Sequence, residues 1–176
     1  IVRRHTWYDD SNVQHRLERL YADGKPISDK ECHLGFRQGY TVAIKNVSYR
    51  SPALANAAEC LSQSLRVPVD CNSYFTPEGT QGLLPHVDDH CVIVLQLLGK
   101  KKWSVASNQI IELPRLHSDC SISVLSASED MQCIGLNAND FLYIPRGFAH
   151  SARTVRHTST DEAYDAQARD CTSNSV

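Results

Sequence analysis

The sequence has no long apolar run. Its longest, around Val92 to Leu98, is far too short to span a bilayer. It has no CxxC pair. Seven cysteines stand at 32, 60, 71, 91, 120, 133 and 171, an odd number without local pairing. That excludes a zinc ribbon or a disulfide scaffold. It leaves free thiols in a reducing compartment, several of them buried as small apolar residues. There is no excess of positive charge. Eighteen Lys and Arg face 20 Asp and Glu, for a net charge of −2. Nucleic-acid binding by bulk charge is therefore not expected. No P-loop, nucleophile elbow or GxGxxG opening a helix occurs, so NTPase, hydrolase and dinucleotide-binding readings lack support. The first residue is Ile1, and no basic stretch followed by an apolar one succeeds it. The expectation is a chain that starts inside a longer protein.

What is present is ordinary globular composition over 176 residues, with 41% hydrophobic and 22% charged residues. That length corresponds to one domain or a large piece of one. Val13, Leu17 and Leu20 fall at near-helical spacing behind Asp10 or Ser11, which predicts a short helix. Asp23-Gly24-Lys25-Pro26 reads as a turn. Tyr40 to Ile44 is β-branched and aromatic enough for a strand. Ser51-Pro52 opens a helix whose apolar face holds Leu54, Ala57, Ala58, Leu61 and Leu65, ending before Pro68. From Val69 the texture changes to short strands near 69–76, 91–98, 101–106, 121–125, 132–136, 140–145 and 149–155. Regular short strands with turns between them predict a sandwich or barrel. The stretch from Arg156 to Val176 is polar and predicts a loose tail.

The most informative segment is Pro85-His86-Val87-Asp88-Asp89-His90. In a strand, positions i and i+2 share a face, so His86 and Asp88 can aim an imidazole and a carboxylate at one point. A third ligand has to come from elsewhere. His150 stands 62 positions after Asp88, beyond the strand-and-turn sequence Leu142-Tyr143-Ile144-Pro145-Arg146-Gly147. Two histidines and one carboxylate on one side of a metal leave open positions opposite, as in non-haem Fe(II) oxygenases. On these residues alone a second reading stands equally, with His86 in a solvated turn and His150 a satisfied barrel histidine. Asp89 and His90 are assigned second-rank or structural roles. His5, His15, His33, His117 and His157 have no partner spacing.

The surrounding wording separates the readings. Asn72-Ser73-Tyr74-Phe75-Thr76-Pro77-Glu78-Gly79-Thr80-Gln81-Gly82-Leu83 precedes the His-x-Asp. Val94-Leu95-Gln96-Leu97-Leu98-Gly99-Lys100-Lys101-Lys102-Trp103 follows it, and Asp140-Phe141 leads to Ala149-His150. Together these closely resemble the JmjC-domain ribosomal oxygenase family. Its members are Fe(II)- and 2-oxoglutarate-dependent protein hydroxylases, some also described as histone lysine demethylases. The match is closest over 70–106 and 140–152, and its Asp-Asp-His-Cys-Val and Leu-Pro-Arg-Leu wording resembles plant-type members. The resemblance implies a mainly β fold, a double-stranded β-helix (jelly roll, cupin-like) with flanking helices. It implies His86, Asp88 and His150 as iron ligands, with 2-oxoglutarate and O2 as cosubstrates. Lys101 matches the base that pairs with the far carboxylate of 2-oxoglutarate. Strand alternation agrees, since Lys101 then points opposite to Lys100 and Lys102. Asn72 matches a polar residue near the cosubstrate and Tyr74 one lining the active site. Asn139-Asp140 matches a family turn, and Pro145-Arg146-Gly147 is expected to shape the turn presenting His150.

The resemblance divides the chain into a helical flank with a first strand over 1–66, a jelly-roll core over 67–156 and a truncated or disordered tail over 157–176. It implies a protein substrate, either a ribosomal protein or a histone tail, without membrane or direct nucleic-acid contact, and a nuclear, including nucleolar, location. The sequence departs from the family after His150. Arg156-His157-Thr158-Ser159-Thr160 does not read as the strand that closes the barrel, and the helical dimerisation segment and winged-helix module do not follow. The chain is therefore expected to be a fragment. The competing expectations are a catalytically inactive binding or scaffold module on this fold, and a cupin-like protein using zinc or manganese for other chemistry.

Overall fold

A computed structural model describes residues 2–5, 17–19, 27–114 and 130–156. The chain forms two compact units, Ile1–Pro77 and Glu78–Val176.

In the first unit, strands β1 (Val2–His5), β2 (Leu17–Arg19), β3 (Thr41–Ile44) and β4 (Ser73–Phe75) form an antiparallel sheet in the order β2-β1-β3-β4. Over Leu17–Arg19 the expected helix gives way to a strand. Leu17–Arg19 pairs with β1 instead, because partners distant in sequence decide conformation in so short a segment. Val13, Leu20 and the Asp23–Pro26 turn lie outside the described residues. β3 buries Thr41 and Ala43 while Val42 and Ile44 are half-buried, the period-2 pattern of a strand. Helix α2 (Pro52–Leu65) begins as the sequence predicts, with the Ser51 hydroxyl accepting from the Leu54 N–H and proline in the first turn. It ends at Arg66 in the left-handed region, two residues before Pro68. Its apolar face is only partly used. Ala58 is buried, whereas Leu61 and Leu65 remain exposed.

Helix α1 (Asp29–Arg37) was not anticipated. Its signal is Ser28-x-x-Glu31, a capping box in which Ser28 Oγ accepts from the Glu31 N–H and the Glu31 carboxylate accepts from the Ser28 N–H. Ser28→Ala should destabilise this helix by about 1 kcal/mol. Loss of helical ellipticity at a lower temperature would register it, and an unchanged melting curve would contradict the cap.

Among its described residues the second unit carries six strands: β5 (His86–Val87), β6 (Val92–Leu95), β7 (Lys101–Ala106), β8 (Met131–Leu136), β9 (Phe141–Ile144) and β10 (Ala149–Thr154). They form two antiparallel sheets, ordered β5-β10-β7-β8 and β6-β9. β5 pairs with β10 and β6 with β9, strands remote in sequence in two different sheets, while β7 and β8 are direct neighbours; the closing of first strands on last is the pairing of a jelly roll. The core gathers Val105, Ala106, Leu136, Ile144 and Ala149. In the β6-β9 sheet, Val92, Val94 and Leu142 are half-buried and Ile144 is buried, while Ile93, Leu95, Phe141 and Tyr143 on the other face are exposed. The strand expected near 121–125 and the tail beyond 156 lie outside the described residues. The five cysteines among the described residues carry free thiols and none of these five is buried: Cys32 and Cys71 are half-buried and Cys60, Cys91 and Cys133 exposed. No described helix is long and apolar enough to cross a membrane.

Candidate metal centre

β5 and β10 lie side by side with His86 directly opposite His150. Opposed residues of an antiparallel pair project to the same face, and these imidazole centroids are 4.4 Å apart. Asp88 lies one residue beyond the end of β5, so strand alternation alone does not aim it. A backbone bond helps: the Gly147 N–H, in the turn before β10, donates to the Asp88 carbonyl at 3.2 Å. Asp88 Oδ1 is then 3.8 Å from His86 Nε2, and Oδ2 is 3.5 Å from His150 Nε2. One ligand atom from each residue lies within 4.8 Å of the other two.

The histidine tautomers suit a metal. His86 Nδ1–H donates to the Leu84 carbonyl at 2.6 Å, and His150 Nδ1–H donates to the Phe148 carbonyl at 3.0 Å. Both bonds run to the residue two positions earlier. They leave Nε2, the atom facing Asp88, as the ring nitrogen that can bind a metal once it gives up its proton. Burial pushes the Asp88 carboxyl up, but the hydrogen bond to His150 and the charges of His86, His150 and His90 outweigh it. The net effect holds the carboxyl below its usual range. An anionic oxygen thus faces two imidazole nitrogens, and a metal ion would take the place of the protons between them. His150 is buried, whereas His86 and Asp88 are half-exposed, so the cluster has a closed side and an open one. This donor set and geometry fit a divalent ion with accessible remaining positions.

The turn that presents His150 depends on Gly147. Its φ is +86°, and a Cβ there would stand 2.0 Å from the Ile111 carbonyl oxygen. That carbonyl cannot retreat freely, because the Gly147 oxygen itself accepts from the Ile110 and Ile111 N–H groups. Gly147→Ala should cost at least about 1–2 kcal/mol from the left-handed backbone alone. It should also weaken divalent-ion binding. A metal titration and a melting curve check both, and unchanged values would show that the turn does not hold the site.

The register of the larger sheet extends the metal-facing side. His150, Ala152 and Thr154 on β10 stand opposite Val105, Trp103 and Lys101 on β7. Lys101 therefore shares the face of the triad, four residues along β7 from the partner of His150. Lys102 is on the reverse face, where it lines a groove of about 250 Å³ with Ser104, Ser151 and Arg153. The predicted alternation within the lysine run is observed at this step. Burial pushes the Lys101 ammonium below its ordinary value, and no described carboxylate pairs with it. A desolvated cation without a counter-ion is a site for an anion.

Asn72 and Tyr74 belong to the other compact unit. Asn72 Oδ1 accepts from the Asn46 N–H at 3.0 Å, and Tyr74 Oη lies 3.1 Å from Lys45 Nζ, which donates to it. His90 stays outside the triad, exposed and 2.6 Å from the Asp89 carboxylate. Asp140 is a turn residue: its Oδ2 accepts from the Asn137 N–H at 2.7 Å, beside Asn139 at φ +75°. His33 is exposed. Trp103, between Lys101 and Val105 on the metal-facing side, had no assigned role, although the same alternation that selects Lys101 selects it.

A family model described as JmjC domain matches residues 48–170. The bifunctional lysine-specific demethylase and histidyl-hydroxylase NO66 of Drosophila persimilis is 33% identical over 137 residues, covering 76% of this chain and 20% of that protein. Ribosomal oxygenase 1 of Gallus gallus is 43% identical over 83 residues, covering 46% of this chain and 14% of its own length. This chain thus spans a fifth or less of either relative. Among solved structures, ycfD of Escherichia coli superposes with a TM-score of 0.50 at 18% identity, covering 99% of this chain and 48% of the other.

Proposed function

The chain belongs to the JmjC-domain family, and on that premise we propose that it is the oxygenase portion of an Fe(II)- and 2-oxoglutarate-dependent protein hydroxylase. The observation that carries this reading is the convergence of His86 Nε2, His150 Nε2 and the Asp88 carboxylate. With iron and 2-oxoglutarate bound, the chemistry is coupled oxidation: O2 is reduced, CO2 leaves, one oxygen atom enters succinate and the other a substrate C–H bond. The residues of this chain set it up. His86, Asp88 and His150 hold the ion on one side and leave the opposite side open. Lys101 receives the far carboxylate of the dicarboxylate. Between the level of His150 and that of Lys101 the strand rises about 13 Å. The lysine's four-carbon stem and a five-carbon dicarboxylate bridge such a gap together. By resemblance, Asn72 contributes to the cosubstrate site and Tyr74 lines the substrate.

The substrate we propose is a histidine of a ribosomal protein, in keeping with the histidyl-hydroxylase and ribosomal oxygenase names of the relatives, acting in the nucleus. The demethylase half of the first name supports a second reading, oxidation of an N-methyl group on a histone lysine. Incubation with Fe(II), 2-oxoglutarate and O2 separates the two. Gain of one oxygen on a histidine of a ribosomal peptide supports the first. Formaldehyde release from a methyl-lysine histone peptide supports the second. Iron binding without consumption of 2-oxoglutarate would leave a binding module.

A further inference from the structure

Trp103 Nε1 is a buried nitrogen without a hydrogen-bond partner among the described residues. Indole N–H is a donor only, and buried donors in native proteins are nearly always paired. Its place narrows what the partner is. Trp103 lies on β7 two residues from Lys101, on the same face, with Ala152 opposite on β10 and Ile134 opposite on β8. Lys101 is flanked by Thr154 and Leu136. Ala152, Ile134 and Leu136 offer no polar side chain. The Thr154 hydroxyl is engaged, donating to the Thr80 carbonyl and accepting from the Thr80 N–H, both at 3.1 Å. Among the described residues this strip of the sheet therefore carries two side-chain donors without an acceptor, Lys101 Nζ and Trp103 Nε1, beside mainly apolar neighbours. At its other end stand the two imidazoles and the carboxylate, with the Trp103 and His150 rings 6.2 Å apart between centroids.

We propose that Trp103 is a cosubstrate-binding residue, its indole N–H donating to the same far carboxylate that Lys101 neutralises. This rests on the oxygenase reading above. A carboxylate has two oxygens and takes two donors from adjacent same-face positions. The apolar neighbours suit the methylene carbons of a 2-oxo dicarboxylate. The pair selects a dicarboxylate over a 2-oxo monocarboxylate, because without the second acid group both donors stay unpaired.

The test reads the indole itself. The full chain is labelled with nitrogen-15 and loaded with Zn(II), which is diamagnetic. The chain has two tryptophans, and a Trp7→Phe variant assigns their indole peaks. Titration with 2-oxoglutarate should shift the Trp103 N–H proton downfield and leave Trp7 in place. 2-Oxobutyrate, which keeps the metal-binding end and lacks the far carboxylate, should leave Trp103 unmoved. Trp103→Phe should weaken 2-oxoglutarate binding roughly ten- to a hundred-fold, the range for a hydrogen bond to a charged group. The wild-type shift needs no variant to fold. Lys101-dependent binding of 2-oxoglutarate with a stationary Trp103 peak overturns this proposal alone. An equal shift with 2-oxobutyrate overturns the assignment to the far carboxylate. No binding of 2-oxoglutarate overturns both this proposal and the oxygenase reading.

Discussion

His86→Ala is expected to abolish turnover, a loss of about a thousand-fold or more, since the bound metal's contribution alone is worth several kcal/mol. The variant should also lose most of its affinity for a divalent ion. Its fold should survive. His86 is half-exposed on a two-residue strand at the sheet edge, so truncation leaves little cavity. His150 is a poorer choice for this test, because it is buried beside Trp103 and its removal would disturb the core as well. Succinate release and metal titration, with a melting curve alongside, measure the three consequences separately. Undiminished succinate production by a folded His86→Ala chain would refute the ligand set.

Lys101→Met is expected to separate binding from stability. The methionine keeps the apolar length and removes the charge. Affinity for 2-oxoglutarate should fall on the order of a hundred-fold or more, as for a buried charge losing its partner. Without cosubstrate the same variant should melt at a higher temperature than the wild type. The wild-type chain holds a desolvated ammonium that no described carboxylate compensates. The sign follows from the direction of the shift. Burial lowers the folded-state value below the ordinary lysine value of 10.5, so the folded chain gives up this proton more readily than the unfolded one. The penalty is fully present below the folded value, where both states are charged. It fades as pH rises from the folded value toward 10.5, so the advantage of the methionine variant should shrink over that window. Thermal melts across that range, with and without 2-oxoglutarate, check both halves. A variant that binds 2-oxoglutarate as the wild type does would remove Lys101 from the site.

The parts of this account legible in the sequence are those fixed by local chemistry. Ser51-Pro52 announces the start of α2, and the turn around Asn139-Asp140 forms as its residues demand. Lys101 was separable from Lys102 because alternation along a strand is strict. The triad itself was legible as a spacing, but not its means of assembly. Asp88 is held through a bond to the backbone of Gly147, and the tautomers are set by the carbonyls of Leu84 and Phe148, which no side-chain pattern encodes. Leu17 misled because a near-helical spacing of three residues is weaker than pairing with a strand in which His5, twelve residues earlier, stands opposite it. The run from Cys91 to Leu98 reads as apolar, yet Ile93 and Leu95 are exposed. Periodicity cannot tell which faces a fold covers. The Ser28-Glu31 capping box was present in the sequence throughout and marks a helix that apolar spacing alone did not suggest.

Everything above turns on whether this chain assembles an iron and 2-oxoglutarate site. The most direct measurement is anaerobic addition of Fe(II) and 2-oxoglutarate to the chain, followed by admission of O2. The expected result is a metal-to-ligand charge-transfer absorption from the chelate, absent from the Lys101→Met and His86→Ala variants at the same concentrations. Succinate should follow once O2 is present. A folded chain that gives neither absorption nor succinate would contradict that assembly.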